Sequence, residues 1–277
     1  MRIAAASPSR APASDSPSRW LQAIGTFGAV LALVILGASM LLRLTTIFGV
    51  DGHTISTLPA SVENAIRLAH RLAAAAVGLL ALCVAIISWT RRPLPSSFIA
   101  PIAWIVVSTV MLAIIGPLTP GYRMTTVTVG NGVGGMVLLM AFWSLRESAV
   151  NNLLTRNPVE PLLLVTILVL LAHVATGASA SAFDMHNVRW FVFVHIGTAM
   201  LTTMFVGASL WDRRRDAAIA GWTVATAGLM VLQLALGCAL MWLGTRPVWL
   251  AYVHGMLSSL LAITLVSLAN RGALTRE

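Results

Sequence analysis

Apolar residues fall into eight long runs separated by short polar stretches, near 21–42, 64–89, 99–117, 125–145, 160–178, 189–210, 219–243 and 248–269. Each is close to the ~20 residues that a helix needs to cross a hydrocarbon core of roughly 30 Å. The third run stops at GPLTPGY (116–122), where prolines and glycines break a helix. The fourth opens on the glycine-rich stretch TVTVGNGVGG (126–135), the weakest helix signal of the eight. The pattern predicts an all-α integral membrane protein whose eight transmembrane helices form two pseudo-symmetric four-helix bundles. The first half is 21–147 and the second 160–270, joined by a cytoplasmic linker at 148–159. Polar tails at 1–20 and 271–277 flank them, the first read as disordered.

Two features of the pattern suggest the repeat. Gly37 in LGASMLLR resembles Gly177 in ATGASASAF, each expected to close the first helix of its half. Gly116 in AIIGPLTPG resembles Gly237 in QLALGCALM, each near the end of the third. His70 and His195 then both head a second helix. His254 heads the fourth helix of the second half, and its counterpart falls at Gly130 or Asn131, where there is no histidine.

Composition agrees with the membrane reading. Of 277 residues, 58% are hydrophobic and only 10% charged, more apolar surface than a soluble domain of this length can hide. All 18 basic residues are arginines, and the net charge is +9. They sit in short loops, so topology explains them better than a nucleic-acid surface does. Arg91, Arg92, Arg146, Arg156, the run Arg213 to Arg215 and both tails put more arginine on one side than Arg43, Arg67, Arg71, Arg123, Arg189 and Arg246 put on the other. The positive-inside rule then places both termini in the cytoplasm of a bacterial-type plasma (inner) membrane. Residues 1–19 are not a secretory signal, because the apolar run that follows is too long and lacks a cleavage site. Cys83 and Cys238 lie inside apolar runs and read as buried, unpaired thiols.

Polar rings inside such runs carry the chemistry. His70, His195 and His254 each lie about two turns from the same end of their helices. Neutral imidazoles from two facing helices make a six-coordinate heme iron site suited to electron transfer. His195 and His254 fit that role, with the small residues Thr198, Ala199, Ser258 and Ser259 letting a flat macrocycle approach. The first half offers His70 alone. Asn131 is a poor iron ligand, and glycines 130, 132, 134 and 135 form either a smooth wall for a porphyrin or a surface for close helix packing. A heme held by one histidine keeps an open coordination position; an empty site is the other reading. Arg67 and Arg71 flank His70, with Glu63 a turn further out. Arginine pairs with carboxylates such as heme propionates, or snorkels to the interface. Arg189 and Arg246 are the corresponding candidates in the second half. His53 near Asp51 and His186 near Asp184 read as loop residues, with metal or substrate delivery as the other reading, and His173 is read as a hydrogen-bond donor to a propionate or the sixth helix and is not assigned as a ligand.

The stretches GASMLLRLT (37–45), LAHRLAA (68–74), VFVHIGTAML (192–201) and LQLALGCALMWLGTRPVWLAYVHGMLSSLLA (232–262) resemble the heme A synthase family of cytochrome oxidase assembly proteins. The resemblance runs from the first helix to the eighth. It implies two four-helix halves with a histidine pair in each, heme b held by His195 and His254, and heme O as the substrate framed by the first half. The implied reaction oxidises the C8 methyl of heme O to the formyl of heme A. His70 and Glu63 would be catalytic, while Arg67, Arg71 and Asn131 would face the substrate heme. Heme O synthase, oxidase assembly factors, membrane lipid and a second copy of the chain are the implied partners, and nucleic acid is not. The chain departs from the family in three places. The second histidine of the first half is absent. Arg67 stands where the family has a glutamate three residues before the histidine. The external-loop cysteine pair of some members is missing. These departures bring in a second expectation, a non-catalytic heme b-binding membrane protein for electron transfer or heme hand-over. A transporter is a third reading that rests on the repeat alone.

Overall fold

The computed structural model describes residues 18–48, 54–90, 94–118, 125–150, 160–182, 188–243 and 247–271. Its eight long helices are α1 (Ser18–Leu44), α2 (Ala60–Thr90), α3 (Ser96–Ile115), α4 (Thr125–Val150), α5 (Pro161–Ala182), α6 (Val188–Arg213), α7 (Ala220–Trp242) and α8 (Val248–Arg271). All eight are long and apolar enough to cross a membrane, so the chain is a multi-pass membrane protein. In hydrocarbon a helix meets its own backbone hydrogen-bonding needs, which is why runs of this composition take this form.

Local chemistry sets several ends. Pro161 opens α5, where its missing N–H costs nothing. Asp216 accepts from the Ala218 amide at 3.0 Å and starts the short turn that leads into α7. Gly116 follows α3 in a single 3-10 turn. The glycine-rich start of the fourth run is helical, so α4 begins at Thr125. Gly37 and Gly177 do not close their helices as expected, since α1 continues to Leu44 and α5 to Ala182. Helices α1 and α4 also run into the stretches assigned to the tail and the linker.

The connection between α1 and α2, expected to be a plain loop, contains a two-stranded antiparallel hairpin. Strand β1 (Thr46–Phe48) pairs with β2 (Thr54–Ser56), with Thr46 opposite Ser56. Thr57 fixes it to the end of α1, its amide and its hydroxyl both donating to the Thr45 carbonyl, at 2.8 and 2.9 Å.

Helices α4 and α8 form the centre. About half of each spanning segment is buried, against 11% for α6 and 17% for α7. Helix α1 packs on α2 and α4, and α3 packs on α4 and α2. The same scheme recurs later, with α5 on α6 and α8, and α7 on α8 and α6. The two schemes differ in tightness. The α1–α4 contact is the most extensive in the molecule, whereas α5 meets α8 only lightly. Glycines explain the tight one: a Cβ on Gly25 would meet the Arg146 backbone at 2.7 Å, and one on Gly135 would meet Leu36 at 2.7 Å.

At the end away from the hairpin, charges tie helices together. Glu147, fully buried, pairs with Arg146 and accepts from Arg271 Nε at 2.8 Å, which links α4 to α8. Trp143 Nε1 donates to Ser267 Oγ at 2.7 Å across the same interface. Arg213, also buried, pairs with Glu160 and links α6 to α5. Cys83 and Cys238 are unpaired as expected but exposed on their helices rather than buried.

Candidate functional site

Three histidines from three helices meet between α5, α6 and α8. His173, His195 and His254 each offer a ligand atom, and these atoms lie within 4.8 Å of one another. His173 and His195 stack, with ring centroids 4.2 Å apart and planes 11° from parallel. His254 faces both edge-on, at 6.3 Å from His195 and 6.5 Å from His173. The pairing of His195 with His254 expected from the sequence is therefore present. His173, expected to hydrogen-bond a propionate or α6 and not assigned as a ligand, joins them.

Two threonines hold the stacked pair. Thr176 Oγ1 donates to the His173 carbonyl and Thr198 Oγ1 to the His195 carbonyl, both at 2.9 Å. Each hydroxyl has one proton, so its oxygen is left to accept. Thr176 Oγ1 lies 3.2 Å from His195 Nδ1, and Thr198 Oγ1 lies 3.4 Å from His173 Nδ1. The two hydroxyls also lie 3.0 Å from each other, so each ring is held at Nδ1 by one member of a linked threonine pair. This is the arrangement in which a metal-binding imidazole is oriented by a partner on its other nitrogen.

Helix α7 serves His254 differently. Gln233, 4% exposed in mid-α7, donates from Nε2 to Ser258 Oγ at 2.8 Å and lies 3.4 Å from His254 Nε2. Gln233 Oε1 and His254 Nδ1 are both buried without a hydrogen-bond partner among the described residues. Glycines back both rings. A Cβ on Gly177 would lie 2.9 Å from His195 Cε1, and one on Gly237 would lie 3.4 Å from His254 Cε1.

The residues present fit a heme iron. With metal–imidazole bonds of about 2 Å, two rings on opposite sides of one metal have centroids roughly 6 Å apart. The His195–His254 spacing of 6.3 Å matches this. Helix α5 meets α8 only lightly beside the cluster, and among the described residues His254 Nδ1 and Gln233 Oε1 are buried polar atoms without a hydrogen-bond partner. A bare ion held by all three rings fits less well. Four-coordinate zinc needs ligand nitrogens about 3.3 Å apart and aimed at one point, and the stacked rings of His173 and His195 lie side by side instead.

The first-half candidates do not form a comparable centre. His70 stands apart from the cluster, its Nδ1 3.3 Å from the Ile35 carbonyl on α1. Glu63 is bonded to Arg67, with Arg67 Nε 2.8 Å from its carboxylate, so this acid and this base engage each other. Arg71 is exposed, and Asn131 is half-buried on α4. The α4 glycines pack rather than form an open wall. Their Cβ positions are met by Ile115 at Gly130 (3.2 Å), Met111 at Gly134 (2.7 Å) and Leu36 at Gly135 (2.7 Å). His53, His186 and Arg246 lie outside the described residues, as does the side chain of Arg189. An open apolar groove of about 410 Å³ runs between α1 and α2, lined by Val34, Gly37, Ile66 and Ala69 and closed at one side by Tyr252.

Sequence reasoning missed His173 as a member of the cluster and Gln233 altogether. A signal was there: each lies four residues before the glycine that backs a histidine, His173 before Gly177 and Gln233 before Gly237. No protein-family model matches the chain, and no curated protein matches it.

Proposed function

We propose that this chain is a heme b-binding membrane protein whose second half holds one heme between His195 and His254 for electron transfer. The observation that carries the reading is the convergence of those two rings from α6 and α8 at an axial-pair spacing, each backed by a glycine. The bound group supplies a one-electron couple. The protein's own part is to present two neutral imidazoles, to keep water away with apolar helices, and to fix the His195 ring through Thr176. Both ligands lie on the half of their helices nearer the hairpin, which under the positive-inside orientation faces away from the cytoplasm.

The second reading is the oxidation of heme O to heme A that the resemblance implies. His70 and the groove beside it, lined by Ile66 and Ala69, favour it. The Glu63–Arg67 pair and the filled α4 glycines weigh against it.

The test is expression with a heme O synthase, purification in detergent, and spectroscopy followed by chromatography of the extracted hemes. A low-spin heme b spectrum that disappears in His254→Ala, with no heme A, is the expected result. Heme A in the extract would move the assignment to the synthase. A His254→Ala protein with the full low-spin spectrum would end both readings.

A further inference from the structure

Gln233 is the buried polar group that the electron-transfer reading leaves unused. It sits in mid-α7, and among the described residues its amide nitrogen lies within hydrogen-bonding range of His254 and Ser258. Among the described residues its other amide atom has no hydrogen-bond partner, nor does His254 Nδ1. The count does not depend on which way round the amide lies. If the oxygen took the place next to Ser258, the nitrogen would be the atom left over. A buried amide half-satisfied in hydrocarbon is costly, and such groups are kept where something completes them.

The Gln233 amide lies 3.4 Å from His254 Nε2, and Nδ1 is the ring nitrogen left without a partner among the described residues. A neutral imidazole that gives one ring nitrogen to a metal is oriented by a partner on the other. Gln233 is placed to be that partner for His254, as Thr176 is for His195.

The first half supplies an internal comparison. In the register that pairs Gly116 with Gly237, Gln233 corresponds to Leu112. Leu112 Cδ2 lies 3.0 Å from the Cβ position of Gly134. If Gly130 stands where His254 stands, Gly134 stands where Ser258 does. The Leu112–Gly134 contact thus takes the place of the Gln233–Ser258 hydrogen bond, and the glutamine and the histidine are absent together.

We infer that Gln233 is the positioning residue for His254, holding one nitrogen of its ring so that the other would be presented to heme iron. This rests on the heme reading of the second half. The test is a heme b titration of detergent-purified wild type, Gln233→Leu and Gln233→Glu, followed by absorbance, with the midpoint potential of each loaded protein and the Tm of each empty one. Removal of a ligand's orienting partner commonly costs about 10–100-fold in metal affinity, and Q233L should show a loss of that order together with a shifted midpoint potential. Q233E, which keeps an acceptor, should recover most of the affinity. Without added heme, Q233L should melt close to wild type, since leucine removes the unpartnered amide atom together with the bond to Ser258; this separates positioning from folding. Q233L matching wild type in both affinity and potential would overturn the inference and leave the heme reading standing. A wild type that takes up no low-spin heme would end both.

Discussion

Gly177→Ala tests the packing behind His195. The added Cβ would lie 2.9 Å from Cε1, 3.4 Å from Nδ1 and 3.7 Å from Nε2 of that ring. Carbon atoms sit comfortably at about 3.5–4.0 Å, so the ring must retreat by roughly 0.6 Å. It has little freedom to do so, because His173 stacks on it at 4.2 Å and Thr176 holds Nδ1 at 3.2 Å. A displacement of that size stretches the Thr176 contact beyond hydrogen-bonding length. Overpacking typically costs about 1–3 kcal/mol, while exchanging glycine for alanine in a helix returns at most about 1 kcal/mol. The clash wins, with a net loss of roughly 0–2 kcal/mol, and heme affinity should fall about tenfold or more as the ring loses its orienting partner. Gly237→Ala is the matched control, since its Cβ meets His254 at 3.4 Å, an ordinary contact. Gly228→Ala is the open-space control, with no atom within 4 Å among the described residues. The assays are thermal unfolding in detergent and heme b titration on all three variants. If Gly177→Ala melts no lower than Gly237→Ala and binds heme as tightly as wild type, the glycine is not the backing of an oriented ligand.

Three further outcomes follow from the geometry. His254→Ala should abolish the low-spin spectrum, while His195→Ala should retain part of it, because His173 stands 6.5 Å from His254, almost the His195 distance; equal loss in both variants, read by absorbance, would exclude His173 as a substitute ligand. Glu147→Ala strands Arg146 and Arg271, whose side chains are 23% and 28% exposed, and should cost about 3 kcal/mol in detergent unfolding. Arg271→Ala leaves Glu147 its Arg146 partner and should cost about half as much, so a reversed order would refute the clamp. Trp143→Phe removes the 2.7 Å bond to Ser267 and should cost roughly 0.6 kcal/mol by the same measurement.

The helices were legible because a membrane-spanning run announces itself by length and composition, independent of what packs against it. His195 and His254 were legible because a ring at matched depth on two helices of one half is a spacing property. His173 and Gln233 were not, because whether a polar side chain in an apolar run turns inward depends on helix rotation, which neighbours decide. The buried state of Glu147 was hidden for a related reason. It follows Arg146 at what looks like a loop edge, and only the docking of α8 on α4 buries it. The hairpin between α1 and α2 has strands of three residues each, too short for an alternating pattern to register.

The contrast between the two packing schemes carries the last step. In the register of Gly37 with Gly177 and His70 with His195, the residues His173, Thr176 and Thr198 correspond to Leu33, Leu36 and Ala73. Gln233 corresponds to Leu112. Every polar group around the second-half histidines therefore has an apolar counterpart. Physical chemistry explains why these positions go together: a buried polar network lacking one member leaves the others unpaired, which is worse than an apolar core. Leu36 fills the space over Gly135, and Leu112 and Met111 fill that over Gly134, which draws α1, α3 and α4 into the tightest region of the molecule. His70 persists there because it does not need the network, taking the Ile35 carbonyl instead. The two sets of helices thus pack differently. The first half closes Leu36, Met111 and Leu112 over the α4 glycines, and the second brings His173, His195, His254 and Gln233 together.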